Sequence, residues 1–259
     1  MTSKEAIFIE IDNIIERVNE FKISPIFENE VRDRDNREVP KKLTDDQLLR
    51  VFSNLIAYSQ NANSKLVKQL IFSNVLEEVF ESFSVDKVSQ IDGAELIGKY
   101  WFEKKISCIR FKSKIFKIIK FATQIKTFGS LSAILTDTQF PKRINAEDDI
   151  QKFWKGFKVL QTNLSDRDVP FLKSTTTLLH YLLDAGYDCI KPDLVVMKVA
   201  NKLKIVDRET GDLNFRETVK LVQQYSLSRG IRPSIIDLYF LIEGGQKAAI
   251  EYVRPEFYE

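Results

Sequence analysis

The 259-residue chain has two cysteines, Cys108 and Cys189, and a single histidine, His180. These are too few ligands for the usual four-ligand zinc site or four-cysteine cluster, and too few thiols for a disulfide framework. A serine or cysteine hydrolase would have only His180 as its base, and no motif surrounds that residue. Nine Gly and seven Pro are few for this length, which disfavours hairpin-rich sandwiches and Gly-looped nucleotide folds. No apolar run approaches about 18 residues, and Met1–Glu10 lacks the basic-then-apolar pattern of a signal peptide. The expectation is a cytoplasmic protein with reduced thiols, no membrane association, no metal and no cofactor.

What is abundant points to helices. The chain is 44% hydrophobic and 29% charged, ordinary for a globular protein and too apolar for disorder. Its 39 basic and 37 acidic residues nearly cancel, so any surface suited to a polyanion must be local. One such stretch exists: Lys104 to Lys126 contains eight Lys or Arg and no Asp or Glu. Phe111, Ile115, Ile118, Ala122 and Ile125 recur through it at helical spacing, so one basic helix with a buried stripe is expected.

The same periodicity marks about a dozen helices and hardly any strand. Ile7, Ile11, Ile14, Ile15 and Val18 define an opening helix that ends near Ser24 and Pro25. Glu28 to Lys42 reads as a charged, solvated connector. Thr44 and Gln47 have capping-box spacing ahead of Leu48, Leu49 and Phe52. Shorter helices are expected at Ser64–Phe72, Val75–Phe83, Asp86–Ile91 and Gly93–Phe102, and near Leu131–Leu135. Further helices are expected around Ile150–Leu160, from Leu172 to Ala185 with Gly186 as its cap, and at Leu194–Leu203, Phe215–Ser228 and Ser234–Ile242. The fold class is all-α in two helical lobes, one of residues 44–160 and one of 1–43 with 161–259. A binding cleft is expected between them.

Four stretches in order carry a resemblance. They are Leu55-Ile-Ala-Tyr-Ser-Gln-Asn-Ala-Asn63, Phe111-Lys-Ser-Lys-Ile115, Pro170-Phe-Leu-Lys-Ser-Thr-Thr-Thr177 and Ile190-Lys-Pro-Asp-Leu-Val-Val-Met-Lys-Val-Ala-Asn-Lys-Leu203. Across roughly residues 44–245 this order resembles the helix-hairpin-helix base-excision DNA glycosylases, the superfamily that includes endonuclease III and the 3-methyladenine glycosylases. The resemblance implies a DNA repair enzyme that flips a damaged base and hydrolyses its N-glycosidic bond. Its partner would be double-stranded DNA carrying the lesion, and the protein would act as a monomer.

The resemblance also implies site residues. Gln60 stands where the family places a wedge that fills the gap left by the flipped base, and Arg110 where it places a second probing side chain. Lys112 and Lys114, with Lys104, Lys105, Lys117 and Lys120 of the same basic stretch, would contact phosphates, and Lys173, Ser174, Thr175 and Thr176 of the hairpin would also lie at the DNA. The family hairpin has a Leu-Pro-Gly-Val-Gly type turn, and both glycines are missing between Pro170 and Thr175. The position of the strand-cleaving lysine falls on Thr175, which forms no imine, so base removal without strand cleavage is implied. Asp193 would face C1′ and stabilise the cationic sugar as the base departs.

Each residue has a plainer reading. Gln60 would simply close a helix, the lysines would be a solvated face, and Asp193 after Pro192 would be an N-cap. Trp101, Trp154, Tyr58 and Tyr100 would be core or would stack on a base, and His180 among leucines would be packed. Two rival functions follow. One is a degenerate relative that binds nucleic acid without catalysis, and the other is a helical interaction scaffold.

Overall fold

The structure, a computed structural model, describes residues 3–20, 25–36, 43–60, 62–137, 141–169 and 171–250. It is built of α-helices with no strand among the described residues. In chain order the helices are α1 (Lys4–Glu20), α2 (Pro25–Asn36), α3 (Asp45–Tyr58), α4 (Ser64–Phe72), α5 (Val75–Val79), α6 (Val85–Val88), α7 (Gly93–Tyr100) and α8 (Ser113–Phe128). They continue as α9 (Leu131–Asp137), α10 (Glu147–Asp166), α11 (Thr175–Asp184), α12 (Leu194–Lys202), α13 (Asp212–Arg229), α14 (Pro233–Glu243) and α15 (Lys247–Ile250). Short 3-10 turns occupy Glu81–Phe83 and Ile106–Ile109. None of these helices is long and apolar enough to cross a membrane.

The expected α4 is present with the same bounds. The capping box is also present: the Thr44 hydroxyl accepts from Gln47 N, and the Gln47 side chain accepts from Thr44 N. The reading fails between Glu28 and Asn36, where α2 replaces the expected solvated connector. Phe27 explains this, because its ring is buried edge-on against Tyr239 at 5.7 Å. Arg34 reaches back to Glu30 at 2.8 Å and gives its other arm to Ser234 O at 2.6 Å. Residues 37–42 of that connector, and Ser24, Asn61 and Pro170 of other expectations, lie outside the described residues.

Contacts divide the chain into two compact units: Met1–Glu38, Pro141–Trp154 and Thr175–Glu259, and Val39–Phe140 with Lys155–Ser174. The chain passes between the units at 38/39, 140/141, 154/155 and 174/175, the third of these inside α10; the sequence reading placed boundaries at 43/44 and 160/161.

In the first unit α14 is the hub, with α1, α2, α12 and α13 packed against it. The run Pro233–Phe240 is buried on every side, which is why it carries almost no charge. In the second unit α3 and α8 form the centre, and Phe52 stacks on Phe121 with ring centroids 3.9 Å apart. Ile115, Ile118, Ala122 and Ile125 of α8 are all buried, matching the apolar stripe expected for the basic segment. That segment is nevertheless two elements, because Arg110 adopts φ +78 and ends the 3-10 turn before α8 begins.

Candidate nucleic-acid interface

Two turns of the second unit hold the residues expected to probe DNA. The first follows α3, where Ser59 closes the helix and Gln60 turns away in the left-handed region, φ +51, with its side chain exposed. The second follows the 3-10 turn, where Arg110, also left-handed and exposed, carries its guanidinium 5.6 Å from the Phe111 ring centroid. Left-handed backbone is costly for residues with a Cβ and persists only where neighbouring structure enforces it. The enforcement is visible here. Asn63 N donates to Cys108 O at 3.1 Å, joining the two turns through the main chain.

The lysines around these turns have three different fates. Lys112 is exposed at the start of α8, with its ammonium 5.6 Å from the Trp101 ring, and Lys117 lies 5.1 Å from the Phe171 ring. Lys104, Lys120 and Lys126 pair with Glu78, Asp168 and Asp86, each at 3.0 Å. Lys114 is 0% exposed, and its ammonium donates to three carbonyls: Ala57 O at 3.3 Å, Ile109 O at 2.6 Å and Ser59 O. Burial lowers its pKa to about 8, with the charge of Lys117 adding to the effect. The sequence expectation of a phosphate contact from Lys114 does not fit this position: the side chain points inward and all three N–H groups are spent.

The segment expected from sequence to form a hairpin follows α10. Gln124 of α8 donates to Arg167 O and Asp168 O at 2.9 and 2.8 Å, and Gln161 donates to Lys173 O at 3.2 Å. Asp168 sits between Lys120 and Lys173, and these two ammonium groups hold its carboxyl down at about 2, Lys173 being the stronger. Phe171, in the stretch that the resemblance would align with the hairpin turn, has left-handed backbone at φ +73. Asp168 is left-handed as well, at φ +50. Leu172 is fully buried beneath them, while Lys173 and Ser174 are exposed. Sequence reasoning missed the Lys120–Asp168–Lys173 cluster because its members lie up to 53 residues apart.

The remaining expected residues belong to the first unit. Thr175 opens α11 and is buried, and Thr176 beside it is half-buried. Asp193 is the N-cap of α12: its Oδ1 accepts from Val195 N at 3.0 Å and Val196 N at 3.1 Å. The Lys191 ammonium lies 3.3 Å from its other oxygen. Asp237 of α14 fixes the approach to this cap by accepting from Lys191 N at 2.9 Å. Burial raises the Asp237 carboxyl to about 6, opposed by the Arg34 guanidinium and the Lys191 N–H and reinforced by the charge of Asp193. Gly244 completes the fit, since a Cβ there would collide with Val195 Cγ1.

Comparison with protein-family models, curated proteins and solved structures finds no match. His180 has its Nε2 3.4 Å from Asp184, and burial keeps the imidazole neutral, holding its pKa near 3 with the charge of Lys191 adding to the effect. Trp101 and Trp154 are buried, and Trp154 donates to Gln223 at 2.9 Å, so both belong to packing; Tyr58 is exposed. Cys108 and Cys189 are free thiols. Among the described residues no group of three His, Cys, Asp or Glu side chains is arranged to hold a metal.

Proposed function

We propose that the chain is a DNA glycosylase that removes a damaged base without cutting the strand, with Asp193 as the catalytic carboxylate. The observation that carries this reading is Phe171. Glycines occur in the family hairpin because the backbone there must turn left-handed and come close to a phosphate. A phenylalanine holding φ +73 at that position supports the same turn in a sequence without the glycines. The exposed Lys112, Lys173 and Ser174, with Lys117 against Phe171, supply donors suited to backbone phosphates. Gln60 and Arg110, each at the tip of a left-handed turn, suit the wedge and the second probe.

In the reaction proposed, the N-glycosidic bond of the flipped nucleotide breaks and its electron pair leaves with the base. The Asp193 carboxylate faces the cationic sugar, water adds to C1′, and the proton that the water gives up ends on the base. Thr175, at the position where the resemblance implies the strand-cleaving lysine, is buried and forms no imine. Strand scission should therefore require added alkali or heat. A second reading, non-catalytic binding of nucleic acid, is favoured by one observation: two N–H groups and Lys191 account for the Asp193 carboxylate without a substrate.

The test is single-turnover base release from duplexes bearing alkylated, oxidised or deaminated bases, with Asp193→Asn beside the wild type. Asn keeps the capping acceptor, so folding should survive. Release should fall by roughly two to four orders of magnitude while duplex affinity holds or rises slightly. Wild-type release by the folded variant would defeat the assignment of Asp193. Salt-dependent binding by a wild type that releases no base would favour the second reading.

A further inference from the structure

The eight basic residues of the 104–126 segment look interchangeable in sequence, yet one of them is buried. A lysine ammonium has three N–H donors and no acceptor, and stranding any of them in a protein interior is costly. Lys114 meets the requirement with three main-chain carbonyls: Ala57 O, Ser59 O and Ile109 O.

Those carbonyls come from two separate places in the chain. Ala57 and Ser59 stand at the end of α3, where the last carbonyls of a helix have no partner within it and the helix dipole favours a cation. Ile109 ends the 3-10 turn, one residue before Arg110. Gln60 follows Ser59 as directly as Arg110 follows Ile109. The ammonium therefore grips the peptide immediately before each of the two exposed, left-handed residues. The main-chain bond from Asn63 N to Cys108 O closes the same pair of turns from the other side. Surface contact with a phosphate would require Lys114 to leave this cradle and orphan three acceptors.

We infer that Lys114 is a positioning residue that clamps the Gln60 turn to the Arg110 turn, so that both side chains are presented to a duplex as one rigid probe. The inference rests on the nucleic-acid reading of these turns and gives it a mechanical basis. Lys112, just before α8, and Lys117, on it, keep the task of binding phosphates.

The experiment uses the full chain and Lys114→Met, which preserves side-chain length and removes every donor. Amide hydrogen exchange is followed without DNA at residues 56–63 and 106–112. Separately, a duplex carrying 2-aminopurine opposite an abasic-site analogue reports base unstacking by fluorescence. In the folded variant, exchange in both segments should accelerate at least about tenfold, the factor one charge-assisted hydrogen bond supplies, while α11 to α14 stay protected. The fluorescence response should fall to that of the Gln60→Ala/Arg110→Ala double variant, and adding Lys114→Met to the double variant should cause no further loss. Duplex affinity should change less than in Lys112→Ala.

Unchanged exchange in a folded Lys114→Met protein overturns the clamp. Faster exchange with a wild-type fluorescence response overturns its role in presentation. Absence of any fluorescence response from the wild type overturns the DNA reading and the presentation with it, and the exchange arm alone then decides the clamp. Should Lys114→Met not fold, Lys114→Gln, which keeps two N–H donors, replaces it. Its exchange should be intermediate, and wild-type exchange overturns the clamp equally.

Discussion

The two units bury charge in opposite ways. The first buries carboxylates and answers them with arginines. Asp188 accepts from Arg232 at 3.0 and 2.7 Å and from Ile144 N at 3.0 Å, and Asp237 lies 3.7 Å from Arg34. The second buries a cation, Lys114, and answers it with neutral carbonyls. A charge paired with a charge ties together two side chains whose removal is not equivalent, because the survivor is left charged. A charge held by carbonyls ties together pieces of backbone, and its removal leaves only neutral acceptors. The first arrangement suits the inside of a helical scaffold. The second suits turns that have to be held at fixed positions.

The sharpest way to break this comparison is to remove one partner in each unit. Asp188→Ala strands the Arg232 guanidinium and should lower unfolding free energy by about 3–5 kcal/mol. Lys114→Met should cost less, about 1–3 kcal/mol, since unsatisfied carbonyls remain but no orphaned charge does. Urea midpoints of the two variants check the order. A Lys114→Met loss larger than that of Asp188→Ala would show that carbonyl cradles and ion pairs do not differ in the way argued.

The first unit also contains two titrating groups, buried Asp237 and half-buried His180, whose pH effects oppose each other. Asp237 has a folded pKa of about 6, above its ordinary 3.8, so its contribution is fully present below pH 3.8 and is lost as pH rises through about 6. His180 has a folded pKa of about 3, below its ordinary 6.5, so its contribution is present above pH 6.5 and is lost as pH falls toward about 3. Relative to wild type, Asp237→Asn should therefore gain stability as pH is raised from 4 to 7. His180→Gln should gain as pH is lowered over the same range. Thermal unfolding across that interval measures both slopes, and slopes of the same sign would remove the opposition.

The smallest effect is expected at Phe171. Glycine there relieves left-handed backbone worth roughly 1–2 kcal/mol but loses the Lys117 contact, worth about 0.5–1 kcal/mol at an exposed site. The net gain for Phe171→Gly should stay below about 1 kcal/mol, measured by denaturant unfolding. A clear loss would mean that the phenylalanine ring, rather than the turn, is what the site needs.

Much of the helical order was readable because it rests on local chemistry. Thr44 and Gln47 form their box within one turn, and the apolar stripe of α8 repeats at a period any reader can count. The extra helix α2 was not readable, because its net hydrophobicity is low and its support is tertiary: Phe27 against Tyr239 and Arg34 on Ser234 O, about 200 residues away. The candidate site was readable only as residue types in order. Asp193 was foreseen both as a cap and as a catalytic group, and its capping geometry is now seen directly. That Phe171 turns left-handed without being glycine could not be foreseen, since propensity argues against it.

By itself, the amino-acid order determined which segments coil and which faces of them are apolar, because capping and periodicity act over one or two turns. It could not tell Lys114 from Lys112 or Lys117, which carry the same charge on one short segment. Their fates separate when α8 packs on α3, because only then do carbonyls from residues 57, 59 and 109 converge on one ammonium. Desolvation and hydrogen-bond satisfaction are properties of a place, and that place exists only once distant parts of the chain have met.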